Sequence, residues 1–215
     1  MIAPGEFYHI YNRGTEKRDI FLSEVDYRRF VTLLHLCNSL SPVHMGNFLK
    51  QEKVNLFEVD VGERLVDIIA YCLMPNHFHL LIREVQENGT SKFMQKLLTG
   101  YTVYFNKYYE RTGALFQGKF KASHASEDRY LKYLLSYIHL NPVKLIDPKW
   151  KENGIRDRKG AEAFLKEYSY SSYPDYLGYS RDESILVNAS ALPEYFISPT
   201  DFKSSITEWL SYSPD

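Results

Sequence analysis

The spacing of apolar residues changes several times along the chain, and each change marks an element. Phe7–Asn12 (FYHIYN) is a short aromatic run closed by Arg13-Gly14, the pattern of a strand entering a turn. Thr15–Phe21 reads as a charged loop. Ser23 can cap a helix from about Val25 to Ser39, with Phe30, Leu33, Leu34 and Cys37 as its apolar stripe. Ser41–Val61 follows no single period and has room for a short helix and a short strand. Leu65–Leu73 is a continuous apolar run of strand type. It joins through Pro75-Asn76, a turn signal, to a second strand in the stretch YCLMPNHFHLLIR at Tyr71–Arg83.

Gly89-Thr90-Ser91 opens a second helix, roughly Lys92 to Arg111, that ends at Gly113. Leu115–Ala125 (LFQGKFKASHA) alternates enough for a strand or an extended loop. Ser126 is placed to cap a third helix from Glu127 to about Leu140, which must end at Asn141 because Pro142 follows. The order β-α-β-β-α-β followed by a helix predicts an α+β fold. Its core is a ferredoxin-like split βαβ antiparallel sheet with helices on one face. After Trp150 the composition shifts. Lys151–Gly160 reads as a polar linker, and the tyrosine-serine segment Tyr168–Tyr179 is expected to pack back on the core. Two units are therefore expected: 1–150 as the main domain, and 151–215 as an extension packing on or capping it.

Charge and composition refine this picture. The chain carries a net charge of −1, so it is not coated in basic groups, but the charge is uneven. Lys92, Lys96, Lys107, Arg111, Lys119 and Lys121 face only Glu110 across their segment, with Tyr101, Tyr104, Phe105, Tyr108, Tyr109, Phe116 and Phe120 interleaved. Basic groups among aromatic faces suit a groove for single-stranded nucleic acid. A solvated helix face over an aromatic core explains the same pattern. The segment 181–215 is acidic, a candidate regulatory or capping segment or a solvated surface. Cys37 and Cys72 lie in apolar contexts without metal spacing and read as reduced core residues of a cytosolic protein. No stretch reaches transmembrane length, and the N-terminal sequence lacks the pattern of a signal peptide.

The chemistry concentrates on two elements. His77 and His79 are separated by Phe78, so on a strand they share one face while Phe78 points away with Leu80 and Ile82. Two imidazoles side by side make half of a divalent-metal site, although histidines also pack in cores. On the third helix Tyr133, Tyr137 and Asn141 recur at every fourth residue and lie near one stripe. Asn141 offers a carboxamide oxygen to a hard cation, or alternatively caps the helix. His77, His79 and Asn141 together would form a three-ligand site with open positions. Tyr137, one turn back, is then a candidate nucleophile, or else a buried helix tyrosine.

Several ordered motifs connect these elements: FYHIYNRG at Phe7–Gly14, YCLMPNHFHLLI at Tyr71–Ile82, LLTGYTVYFN at Leu97–Asn106, LFQGKF at Leu115–Phe120 and YIHLNPV at Tyr137–Val143. In this combination the chain resembles the single-tyrosine HUH transposases, in particular the REP-associated tyrosine transposases. YSYSSY at Tyr168–Tyr173 resembles a segment that often follows in that family, usually with Trp where this chain has Tyr170. The resemblance implies a ferredoxin-like catalytic domain and a Mg²⁺ or Mn²⁺ ion on His77, His79 and Asn141, the last where related insertion-sequence transposases carry Gln. It implies Tyr137 as the nucleophile on single-stranded or hairpin DNA at REP-like sequences, giving a 5′-phosphotyrosine and a free 3′-OH that can rejoin the strand. The DNA-contacting set it suggests is Arg13, Lys92, Lys96, Lys107, Arg111, Gln117, Lys119 and Lys121. Some family members are homodimers in which the tyrosine helix serves the partner's site.

Two other classes fit the same residues. A non-catalytic ferredoxin-like module would bind nucleic acid by stacking and form no adduct. A metal-dependent hydrolase would activate water, and its cleavage would survive loss of Tyr137.

Overall fold

The structure, a computed structural model, describes residues 2–41, 55–193 and 198–211. Four strands form one antiparallel sheet in the order β2-β3-β1-β4: β1 (Phe7–Arg13), β2 (Val66–Met74), β3 (His77–Glu84) and β4 (Lys121–His124). Helix α1 (Glu24–Leu36) links β1 to β2, and α2 (Gly89–Tyr108) links β3 to β4. This is the split βαβ arrangement expected from the order of elements. Most of the ambiguous stretch Ser41–Val61 lies outside the described residues, and its described part, from 55, holds turns and no strand. No helix among the described residues is long and apolar enough to cross a membrane.

Alternation along each strand decides what faces what. Tyr8 and Ile10 of β1, Val66 and Ile68 of β2, and Phe78, Leu80 and Ile82 of β3 join Phe30, Leu34, Phe93, Leu97 and Tyr101 in one core under α1 and α2. A bulge between Ile68 and Ala70 shifts the register of β2. It lets Tyr71 and Leu73 stay on this face while Ile69, Ala70, Cys72 and Met74 turn to the other. The two crossover helices thus share one face, as the sequence indicates.

The opposite face is also covered. α3 (Asp128–Leu140) lays Leu131, Leu134, Leu135 and Ile138 against Ile69, Cys72, Met74 and Leu81. Both faces of β2 are therefore dry, which is why the strand is buried along its whole length and reads as an unbroken apolar run. The helix boundary differs slightly from expectation. Glu127, in extended conformation, is the N-cap residue rather than Ser126. At the other end the chain runs on through Pro142 as a 3₁₀ turn, Asn141–Leu145, because a proline ring is tolerated in a first turn.

Lys151–Gly160 is less of a linker than its composition suggests. It contains most of α4 (Trp150–Asn153), then Gly154 at φ 71°, then the start of α5 (Arg158–Glu167), which Asp157 caps through the Gly160 amide. Downstream, Leu73 donates its amide to the Tyr170 carbonyl at 2.9 Å and Ser172 donates to the Tyr71 carbonyl at 3.0 Å. Asn188 donates to the Ile68 carbonyl at 2.8 Å. These segments pair the open edge of β2, which would otherwise present unsatisfied backbone groups. Phe202 and Ile206 of α6 (Pro199–Ser211) add to the second core, so the acidic C-terminal stretch has an apolar side.

Candidate active site

The residues with reactive chemistry meet on the second face, at the end of the sheet where β1 finishes and β3 begins. Alternation turns His9 and Tyr11 of β1, and His77 and His79 of β3, toward α3. Antiparallel pairing sets Tyr11 opposite His79 and Arg13 opposite His77. The loops around this end hold one another. Gly14 donates to the Asn76 carbonyl at 2.9 Å, Ile20 donates to the Pro75 carbonyl at 2.8 Å, and Gln117 donates to the Arg13 carbonyl at 2.8 Å. Gly14 is required here: a Cβ at this position would run into the Arg18 carbonyl and the Ile20 side chain.

The result is a cleft of about 610 Å³ lined by Tyr11, Asn12, Arg13, Lys17, Asn76, His77, His79, Gln117, Lys121, Tyr137 and Lys144. The Tyr137 ring stands edge-on to His79, with centroids 5.5 Å apart, and edge-on to His9 at 6.0 Å. Lys151 reaches back from α4 to place its Nζ 4.1 Å from the centre of the Tyr137 ring. Arg13, Lys17, Lys121 and Lys144 line the cleft, and Lys151 stands over Tyr137, so the site is strongly cationic in a chain of net charge −1.

That field and the burial keep the imidazoles neutral. Desolvation pushes His77 down to about 4, with Lys144, Lys151 and Arg13 adding to the fall against an opposing hydrogen bond with Asn141. His79 is held well below its ordinary value by burial and by His77, His9 and Lys151. Burial alone takes His9 to about 4. Neutral imidazoles keep a nitrogen lone pair, the state a metal ligand needs.

The nitrogen left free on His77 follows from its neighbours. Asn76 donates its Nδ2 to the Lys17 carbonyl at 3.1 Å, which fixes its Oδ1 against His77 Nδ1 at 2.6 Å. A carboxamide oxygen only accepts, so His77 carries its proton on Nδ1 and keeps its lone pair on Nε2. His79 Nδ1 is engaged by His9 Nε2 at 2.9 Å, leaving Nε2 as its other nitrogen. Asn141 donates Nδ2 to the Tyr137 carbonyl at 3.2 Å, so it caps the helix, while its side chain also lies within hydrogen-bonding reach of His77. Capping and ligation are thus compatible roles. Two imidazole nitrogens and one carboxamide oxygen suit a divalent cation with open positions. No cluster of three or more His, Cys, Asp or Glu is arranged for a metal among the described residues.

Of the suggested DNA-contacting residues, Arg13, Gln117 and Lys121 line the cleft, and Lys119 is exposed on the adjoining loop. The other four lie elsewhere. Lys92, Lys96 and Lys107 are on α2, across the sheet. Lys96 donates to the Ser39 and Ser41 carbonyls. Arg111 donates to Asn106 and the Ala114 carbonyl and packs over Phe105. Tyr101, Phe105 and Phe116, three of the interleaved aromatics, are buried in the first core. The segment is therefore not one continuous groove. The sequence reading passed over His9, Lys17, Asn76, Lys144 and Lys151 as site residues. Period-two alternation through FYHIYN could have paired His9 with Tyr11 on one face, but nothing in the sequence gives the register that brings it to His79.

The family model described as "Transposase IS200 like" matches residues 42–141. The chain is similar to that family over this stretch, which contains the His77–Phe78–His79 strand, α2 and the tyrosine helix. A solved structure described as a REP-associated tyrosine transposase bound to a REP hairpin aligns with a TM-score of 0.49 and 11% identity, covering 92% of this chain and 93% of that one. No protein of curated function matches the chain.

Proposed function

We propose that this chain, similar to the IS200-like transposases over residues 42–141, is a DNA strand transferase that attacks a phosphodiester of single-stranded or hairpin DNA with Tyr137. The observation that carries the reading is the placement of Tyr137: its ring lies 5.5 Å from His79 and lines one cleft with His77, Arg13 and Lys144. The Tyr137 oxygen bonds to phosphorus as the bond from phosphorus to the 3′ oxygen breaks. The phenol proton leaves Tyr137 and the departing 3′ oxygen takes up a proton, giving a 5′-phosphotyrosine and a free 3′-OH. Because the ester is conserved, a second 3′-OH can reverse the step and rejoin the strand.

Each neighbouring group has a part. Arg13, Lys17, Lys121 and Lys144 supply the positive field that a phosphodiester needs to enter and that offsets charge on its oxygens. Lys151 holds the aromatic face of Tyr137. His77, His79 and Asn141 would hold a Mg²⁺ or Mn²⁺ ion, which supplies electrophilic activation of the phosphate. All these residues meet within one chain, an arrangement that supports action in cis. Residues 151–215 act as an extension of the catalytic unit that closes the β2 edge and contributes Lys151.

The test is incubation with a randomised single-stranded library bearing a hairpin arm, with Mn²⁺ present, followed by denaturing electrophoresis and peptide mapping. A covalent nucleotide on the peptide containing Tyr137 is the expected result. Cleavage that survives Tyr137→Phe would replace strand transfer with hydrolysis by water. Binding without any adduct would reduce the protein to a nucleic-acid module.

A further inference from the structure

His9 does not itself line the cleft but stands behind its wall, and it is the only hydrogen-bonding partner seen for His79 Nδ1 among the described residues. The two rings lie 2.9 Å apart at His9 Nε2 and His79 Nδ1, and the residues are 7% and 6% exposed, so water has little access to replace either partner. One proton must lie on that line, on one nitrogen or the other. If His9 carried it, His79 would hold its own proton on Nε2 and present an N–H to the cleft. If His79 carries it, Nε2 presents a lone pair.

We infer that His79 carries the proton on Nδ1 and donates it to His9, which makes His9 the positioning residue for His79. Two independent features favour that direction. A neutral imidazole has its negative end at the bare nitrogen, and Lys151, seated over the Tyr137 ring that meets His79 edge-on, acts on His79 with a positive charge that favours a lone pair turned toward Tyr137 rather than toward His9. The neighbouring His77, on the same strand face, is already forced into the same tautomer by the fixed carboxamide of Asn76. The two histidines would then offer matched Nε2 lone pairs, each set by a different acceptor behind the ring. Tyr11 stacks on His9 with centroids 4.9 Å apart and keeps its ring in plane for this contact. His9 thus does for His79 what second-layer hydrogen-bond acceptors do for metal-binding histidines generally. The purpose rests on the metal reading above; the tautomer does not.

The experiment uses the whole protein, free of metal and labelled with ¹⁵N in its histidines. Long-range ¹H–¹⁵N spectra at neutral pH report which ring nitrogen is protonated. His79 is expected as the Nδ1–H tautomer in the wild type. His9→Leu removes the acceptor and should mix the His79 tautomers. The same substitution should weaken Mn²⁺ binding, measured by calorimetry without DNA, by about 10–100-fold. His9→Gln offers an acceptor oxygen and should recover most of both. An Nε2–H tautomer for His79 in the wild type overturns the inference, even if His9→Leu fails to fold. So does unchanged Mn²⁺ affinity in His9→Leu while His77→Ala loses it. A wild type that binds no Mn²⁺ overturns the purpose assigned to the contact. A wild type with the expected tautomer and Mn²⁺ affinity but no tyrosine adduct leaves His9 in its role and rejects strand transfer instead.

Discussion

The Tyr137 ring meets the His79 imidazole edge-on, at 5.5 Å between centroids and 80° between planes. A helix and a strand that are distant in sequence thus place a phenol beside two neutral imidazoles. Removing only the phenol oxygen is the sharpest test of what that pairing does. Tyr137→Phe keeps the ring that stacks on Tyr133 at 5.9 Å, so melting temperature and DNA affinity should stay near wild type. Adduct formation should disappear, as read by mass spectrometry of the protein after incubation with DNA. Adduct on Tyr133 or Tyr130 in the variant would show that another tyrosine of α3 is the nucleophile.

Asp26 is the joint between α1 and α2, and its loss should be costly. It is fully buried, accepts the Leu22 and Ser23 amides at 2.8 and 3.0 Å, and accepts the Tyr104 and Tyr109 hydroxyls at 2.8 and 2.7 Å. Asp26→Ala takes the shared acceptor away from these part-buried donors and from the Ser23 hydroxyl. The expected loss is about 3 kcal/mol, since hydrogen bonds to charged groups are the strong ones and buried orphans are penalised. Urea unfolding measures it; a change below about 1 kcal/mol would mean that water or new partners replace the carboxylate.

The parts of this architecture that could be read in the sequence are those governed by local periodicity. Alternation gave His77 and His79 a common face, and the apolar runs gave four strands and three main helices in order. What could not be read depends on contacts between distant segments. The basic residues of 92–121 look like one patch in sequence, but α2 turns Lys92, Lys96 and Lys107 across the sheet from Arg13 and Lys121. Lys144 and Lys151 stand in unremarkable polar sequence and enter the site only because α3 ends beside His77. The polar composition of Lys151–Gly160 hides two short helical segments, because capping by Asp157 rather than apolar periodicity starts the second.

His139 sets an acid limit on stability. It is completely buried between α3 and the C-terminal segments, with Nε2 at 2.7 Å from Ser172 Oγ, and burial pushes it down to about 3. In the unfolded chain it would titrate near 6.5. Between those values the unfolded state binds the extra proton, so stability rises with pH from about 3 to 6.5 and is flat above. Replacing His139 with Gln, which retains a polar partner for Ser172, should make the fall in melting temperature between pH 7 and pH 4 shallower. An unchanged slope would mean that other groups, among them the buried His9, His35, His77 and His79, carry the acid sensitivity.

If phosphates enter the cleft, the residues that lose affinity when neutralised are those beside Tyr137, not those that look most basic in sequence. Arg13 and Lys144 line the cleft, whereas the Lys96 ammonium is occupied by the Ser39 and Ser41 carbonyls and Arg111 by Asn106 and the Ala114 carbonyl. Arg13→Gln and Lys144→Gln should each weaken binding of a single-stranded hairpin substrate. Each should also reduce the slope of log affinity against log salt by about 0.7, the amount for one phosphate contact on a single strand. Lys96→Gln and Arg111→Gln should leave that slope unchanged, although Arg111→Gln gives up a packing contact with Phe105 and should lower the melting temperature slightly. Titration at four or five salt concentrations with each variant separates the two groups. Equal slope changes at Lys96 and Lys144 would mean that the strand wraps past the sheet edge to α2, and the cleft would then be one end of a longer track.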